Sequence, residues 1–116
     1  MKKTSHKNQR VNGEVQRELS RIISMEIKDP RINPMTSVTD VIVTPDLKYC
    51  KAFISVLGDE ESGKDTIEGL KSATGYIRRE LARSINLRNT PEITFVLDNS
   101  IEYGIAMSKK IDDLMN

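Results

Sequence analysis

The spacing of the apolar residues changes four times along this chain, and those changes restrict its fold more than any single motif. Val11, Val15, Leu19, Ile22, Ile23 and Ile27 keep helical intervals, so an amphipathic helix is expected over about 8–27. KDPRINP ends it: Asp29 precedes a proline and is biased away from the helical region, and Pro34 repeats the break. SVTDVIVT at 37–44 and KYCKAFISVL at 48–57 are rich in β-branched residues and alternate, the first imperfectly. Between them PDLK places Pro45 and Asp46 where a turn accepts them, which predicts a β-hairpin. In its second strand Cys50, Ala52, Ile54 and Val56 share the core face, and Tyr49, Lys51, Phe53, Ser55 and Leu57 share the half-exposed one.

After the loop GDEESGKD, helical spacing returns from about 65 to 87 through Ile67, Leu70, Ile77, Leu81 and Ile85. Asn86, Asn89 and Pro91 punctuate its exit, PEITFVLD at 91–98 reads as a third strand, and 100–116 as a C-terminal helix. Residues 1–7 are polar and basic and are expected to be flexible. No repeat or linker divides the chain, so 1–116 is expected to be one domain.

The long central helix has a weak point. Gly75 lies inside its apolar pattern, at a cost of about 1 kcal/mol relative to alanine. Directly after it come Arg78, Arg79 and Arg83. The reading is that the helix turns at Ala73-Thr74-Gly75, with Gly75 as the turning point. Arg79 and Arg83 then share one face with Arg78 alongside, opposite Ile77, Leu81 and Ile85.

Charge is distributed unevenly around a formal net of +1. Residues 1–31 carry eight lysines and arginines against four acids, and 71–90 carry five (Lys71, Arg78, Arg79, Arg83, Arg88) against Glu80. Residues 58–70 reverse the balance, with five acids against Lys64. Such a bipolar surface suits a polyanion docked on one side, although a solvated surface with no partner has the same composition. Arginine forks on the basic helix suit phosphates, with an affinity that falls steeply as salt rises; pairing of these arginines with Glu80 and the acidic stretch is the competing reading.

Other chemistries find no constellation. His6, the only histidine, sits near the N-terminus, and Cys50 lies on a core face without a histidine partner, as an inert thiol does. The sequence has no CxxC or HExxH, and GDEESGK at 58–64 lacks the hydroxyl residue of a P-loop and carries acids where phosphates would sit. With no tryptophan and 4% aromatics, a deep aromatic pocket or a stacking platform is not expected. A single cysteine, the lack of an apolar run long enough for a membrane, and a basic start with no apolar stretch behind it fit a cytoplasmic protein. No metal, cofactor or small-molecule substrate is expected.

An α–β–β–α–α–β order with a break between the later helices resembles a type II KH domain: α+β, a three-stranded sheet with helices on one face, and here a C-terminal helix in addition. RNA-binding KH domains carry GxxG at the break, whereas this chain has Ala73-Thr74-Gly75. That A-x-G kink resembles the bacterial ribosome-binding factor A family. RVNGEVQRELSRIISMEIKDPRI is similar to the family's opening helix, closing on Lys28-Asp29-Pro30-Arg31. VTDVIVTPDLKYCKAFISVLG is similar to its hairpin, and SATGYIRRELARSINLRNTPEITFVLDNSIEYG to its kinked helix and third strand. The likeness spans about residues 5–110.

The resemblance implies a non-enzymatic assembly factor that binds the immature 30S subunit and contacts 16S rRNA. It implies help with late maturation and 5′-end processing, with particular importance in the cold. It also implies action as a monomer. The family's basic surface maps here onto Arg78, Arg79 and Arg83, with Arg88 and Lys71 nearby in sequence and Arg10, Arg17 and Arg21 on the first helix. Two other readings compete. A generic single-stranded RNA-binding KH module lacks its GxxG clamp here. A protein–protein adaptor would use the C-terminal helix and the Tyr49/Phe53 strand face.

Overall fold

The computed structural model describes residues 6–98. In chain order it contains α1 (His6–Met25), β1 (Thr36–Val43), β2 (Tyr49–Val56), α2 (Glu60–Ser72), α3 (Thr74–Ser84) and β3 (Glu92–Leu97). The strands form one sheet in the order β1-β2-β3, with β1–β2 antiparallel and β2–β3 parallel. A parallel pair needs a crossover, and α2 and α3 supply it. All three helices lie over one face of the sheet, giving the α+β architecture and element order expected from the sequence. The expected helix at 100–116 and most of the expected flexible start lie outside the described residues.

The core joins Val15, Leu19 and Ile22 of α1 to Leu70 of α2, Ile77 and Leu81 of α3, and Val41, Ala52, Ile54 and Phe95 of the sheet. Cys50, Ala52, Ile54 and Val56 are all buried, as the alternation in β2 predicted. Burial pushes the Cys50 thiol up to about 12, because a thiolate there would lose its hydration. The imperfect alternation of β1 has a cause. Val38 pairs with Ile54 and Asp40 with Phe53, so Thr39 is an extra residue in a bulge. The bulge shifts the face by one position, and Val38, Val41 and Val43 all point into the core.

Several boundaries differ from the sequence expectation. α1 starts at His6, so residues 6 and 7 are helical and the only histidine opens the helix. Its helical pattern ends at Met25; Glu26 and Ile27 both donate to the carbonyl of Ile22, a widened turn that still packs Ile27 against the core. Most of the expected loop at 58–65 is helix. Asp59 caps α2 by accepting from the Ser62 N–H at 2.8 Å, and Glu60 and Glu61 sit where the helix dipole favours acids. Gly63, part of the P-loop-like stretch, is buried within α2, where an added Cβ would lie 2.9 Å from Leu97 Cδ2. The second helix of the pair ends at Ser84, since Ile85 is extended.

The break itself falls at Ala73, not Gly75. Ala73 adopts φ −92° and ψ 3°, accessible to any residue. Its N–H is shared between the carbonyls of Gly69 and Leu70, both at 3.1 Å, and its own carbonyl accepts from Ile77 N–H at 2.9 Å. The kink therefore turns the chain while losing few hydrogen bonds. Gly75 lies within α3, exposed, with open space where a Cβ would stand.

Candidate nucleic-acid interface

α1 and α3 run antiparallel: Glu26 meets Tyr76 at one end, and Arg21 meets Ser84 at the other. The arginines expected to form a basic surface divide into those committed to the fold and those presented to solvent. Arg78 is half-buried and donates from Nε to the Pro91 carbonyl and from a terminal nitrogen to that of Thr90, each at 3.0 Å. It braces the entry to β3 from α3. A guanidinium so engaged has few donors left for phosphate.

Arg21 is also held. It donates to Glu18 at 2.9 Å, to Glu26 at 2.7 Å and to the Ser84 hydroxyl at 3.1 Å. The hydrogen bond to Glu18, then that to Glu26, raises its pKa further above the ordinary guanidinium value. Glu26 is drawn below the usual carboxylate range, first by the Tyr76 phenol and also by Arg21. The phenol in turn is raised by the bond it donates to Glu26.

Arg79 and Arg83 are exposed on α3. Arg79 lies over the Tyr76 ring, its guanidinium carbon 5.8 Å from the centroid, a cation–π distance that leaves the guanidinium donors uncommitted. Arg83 pairs with Glu80 at 3.2 Å and is three-quarters exposed, a surface contact easily exchanged for a phosphate. On α1, Arg10 pairs loosely with Glu14 at 3.4 Å. Arg17 is exposed and makes no hydrogen bond or ion pair among the described residues, and the same holds for the side chains of Arg88 and Lys71. Arg17 lines a shallow groove with Glu14, Glu18, Ser84, Ile85 and Asn86, so α1 and the end of α3 form one continuous surface. Lys71 sits in the last turn of α2, before the kink.

The KDPRI stretch packs beside the kink. Arg31 clasps Asp29 through its side chain at 3.1 and 2.7 Å and through its backbone N–H at 2.9 Å. These bonds lower the Asp29 carboxyl to about 2. The buried Thr66 hydroxyl receives Asn33 N–H at 3.1 Å and faces the Arg31 carbonyl at 3.4 Å, joining this stretch to α2. Close packing needs Gly69, whose Cβ would come within 2.8 Å of Ile32 Cγ1. Glu26, Tyr76 and Thr66 escaped the sequence reading because the Tyr76–Glu26 bond and those of Thr66 to Asn33 and Arg31 span 33 to 50 residues, and no local pattern announces such bonds. Among the described residues no cluster of His, Cys, Asp and Glu is arranged to hold a metal ion, and no helix is long and apolar enough to cross a membrane.

Comparison with known proteins gives one answer. A family profile described as ribosome-binding factor A matches residues 7–111. The ribosome-binding factor A of Lachnospira eligens is 74% identical over 98% of this chain and 88% of its own length. Among solved structures, a putative ribosome binding factor A of Thermotoga maritima shares the fold with a TM-score of 0.73 and 28% identity, covering 88% of this chain and 96% of that one. A homology model of the Thermus thermophilus ribosome binding factor A, as fitted into the cryo-EM map of a 30S complex, aligns with a TM-score of 0.56 and 22% identity, over 74% of this chain and 93% of that one. The A-x-G kink, the closing KDPR and the mixed three-stranded sheet thus occur together in a chain that belongs to the ribosome-binding factor A family.

Proposed function

We propose that this protein is an assembly factor for the small ribosomal subunit, which binds the immature 30S particle and its 16S rRNA in the cytoplasm as a monomer. It acts by binding. Differential affinity for one rRNA conformation favours that conformation, assisting late maturation and 5′-end processing without a bond being made or broken by the protein, with the largest effect in the cold. Support comes from the names of its relatives and from the 30S complex map into which a homology model of the Thermus protein was fitted.

The observation that carries the reading is the division among the arginines. Arg79 and Arg83 project from a helix whose opposite side, Ile77 and Leu81, is fully buried. Phosphate contacts from such a helix position a protein on folded RNA, while recognition follows the shape of the RNA. Cosedimentation with immature small subunits across a salt series tests this. Binding is expected to weaken steeply with salt and to be lost in the double variant Arg79→Glu, Arg83→Glu; salt-insensitive binding, or binding unaffected by both reversals, overturns it.

A further inference from the structure

A cleft of about 380 Å³ opens where the start of α1, the β1–β2 turn and the segment after α3 converge. Its floor is apolar: Val11, Leu47 and Leu87 line it and pack against the core. Its polar wall is basic, made by Arg10, Arg88 and Asn86. Glu14 is the single carboxylate in the lining, and Arg10 already engages it at 3.4 Å. The side chains of Arg88 and Asn86 have no partner among the described residues.

The floor is held in a costly backbone conformation. Leu47 has φ +60°, and no other described non-glycine residue has a positive φ. A bulky side chain in that region is an outlier, and such outliers collect at ligand sites when their surroundings enforce them. Here the surroundings do so from both sides. Leu47 N–H donates to the Thr44 carbonyl at 2.9 Å, and the Leu47 carbonyl accepts from Asn89 Nδ2 at 2.9 Å. Asn89 belongs to the same segment that supplies Asn86 and Arg88, so turn and wall are locked together before any ligand arrives.

We propose that this cleft receives one unpaired nucleotide of RNA, its base on the Leu47–Leu87 floor and its phosphate facing Arg10 and Arg88. The inference rests on the reading that the protein binds ribosomal RNA, and it adds a subsite apart from the α3 arginines. Guanidinium forks match phosphate oxygens, and the Asn86 amide offers both a donor and an acceptor to a base edge. RNA is read in this way where bases are splayed out of the helix. An apolar peptide side chain would fill the floor but leave the Arg88 guanidinium uncompensated, since Glu14 answers Arg10 alone, so charge complementarity favours the nucleotide.

The test is methyl NMR of the full chain titrated with adenosine or uridine 5′-monophosphate, with inorganic phosphate as control. At least one nucleotide is expected to shift the Val11, Leu47 and Leu87 methyls saturably at millimolar concentration. Arg88→Ala should weaken that binding about tenfold, the size of one lost charge-assisted contact. Phosphate alone should leave the Leu47 and Leu87 methyls unmoved. Silent methyls with both nucleotides, equal shifts with phosphate alone, or unchanged affinity in Arg88→Ala each overturn the proposal. If the wild-type protein fails to cosediment with small subunits, the proposed function falls, while the titration still decides the cleft by itself.

Discussion

The phenol of Tyr76 donates to Glu26 Oε1 across 3.0 Å, tying the first turn of α3 to the residue that follows α1. Arg21 takes the other carboxylate oxygen at 2.7 Å, so one acid on α1's end is gripped from both helices. The same Tyr76 ring lies beneath Arg79, whose guanidinium carbon is 5.8 Å from its centroid, so one side chain joins the clamp to the exposed basic face.

Replacing Tyr76 with Phe should leave the fold intact and lower the thermal midpoint slightly. The Glu26 carboxyl is held below its ordinary value of 4.5 in the folded protein, first by the hydrogen bond from Tyr76. Its contribution is therefore present above that value and lost as pH falls through the lower folded one. The gap in midpoint between wild type and Tyr76→Phe is expected to be widest above about pH 5 and to shrink in acid. A gap that does not change with pH would mean that the hydrogen bond to the carboxylate contributes nothing.

Asp29 should show the same sign further into acid. Its carboxyl is lowered from 3.8 to about 2, first by the Arg31 side chain and then by the Arg31 N–H. Stability from this clasp is complete above 3.8 and disappears as pH falls toward 2. Thermal midpoints of wild type and Asp29→Asn, measured from neutral pH into strong acid, should converge only at the acid end. Convergence already at pH 4 would contradict the clasp.

The glycines divide by what surrounds them. Gly69→Ala forces a Cβ to 2.8 Å from Ile32 Cγ1 with Arg31 Cβ close behind, so overpacking should destabilise by about 1–3 kcal/mol. Gly75→Ala meets no atom within 4 Å in a helical position, so it should stabilise by about 0.5–1 kcal/mol. Urea midpoints of the two variants check both signs. A destabilising Gly75→Ala would restore Gly75 as the turning point that the sequence suggested.

That reversal shows where reading the chain by itself succeeds and where it stops. Periodicity placed α1, the three strands and the helical stretch that α2 and α3 divide, because burial of Val15, Leu19, Ile54 and Leu81 is written into spacing. It failed at Gly75 because helix propensity is a weak prior, and the turn at Ala73 is stabilised by hydrogen bonds that need no glycine. It also missed the start of α2, where a single Asp59 cap outweighs the glycines and acids that look like a loop. At the candidate surface, sequence located the arginines but could not sort them. Arg78 and Arg79 are neighbours in the chain, and only the fold shows that the first grips backbone carbonyls while the second faces solvent.

Sorting the arginines leads to opposite expectations for Arg78 and Arg83. Arg78→Ala leaves the carbonyls of Thr90 and Pro91 without their half-buried donor. A hydrogen bond from a charged group contributes about 1.5–3 kcal/mol, so this variant should lose stability on that order and lose ribosome binding only in proportion to unfolding. Arg83 is 75% exposed with one surface partner, so Arg83→Ala should leave the denaturation midpoint within about 0.5 kcal/mol of wild type. Its effect should appear in the salt dependence of binding, where each lost phosphate contact flattens the slope of log K against log salt by about 0.7–0.9. Denaturation and salt-series cosedimentation on both variants separate the roles. A stable Arg78→Ala with a flattened slope, or an unstable Arg83→Ala, would exchange them.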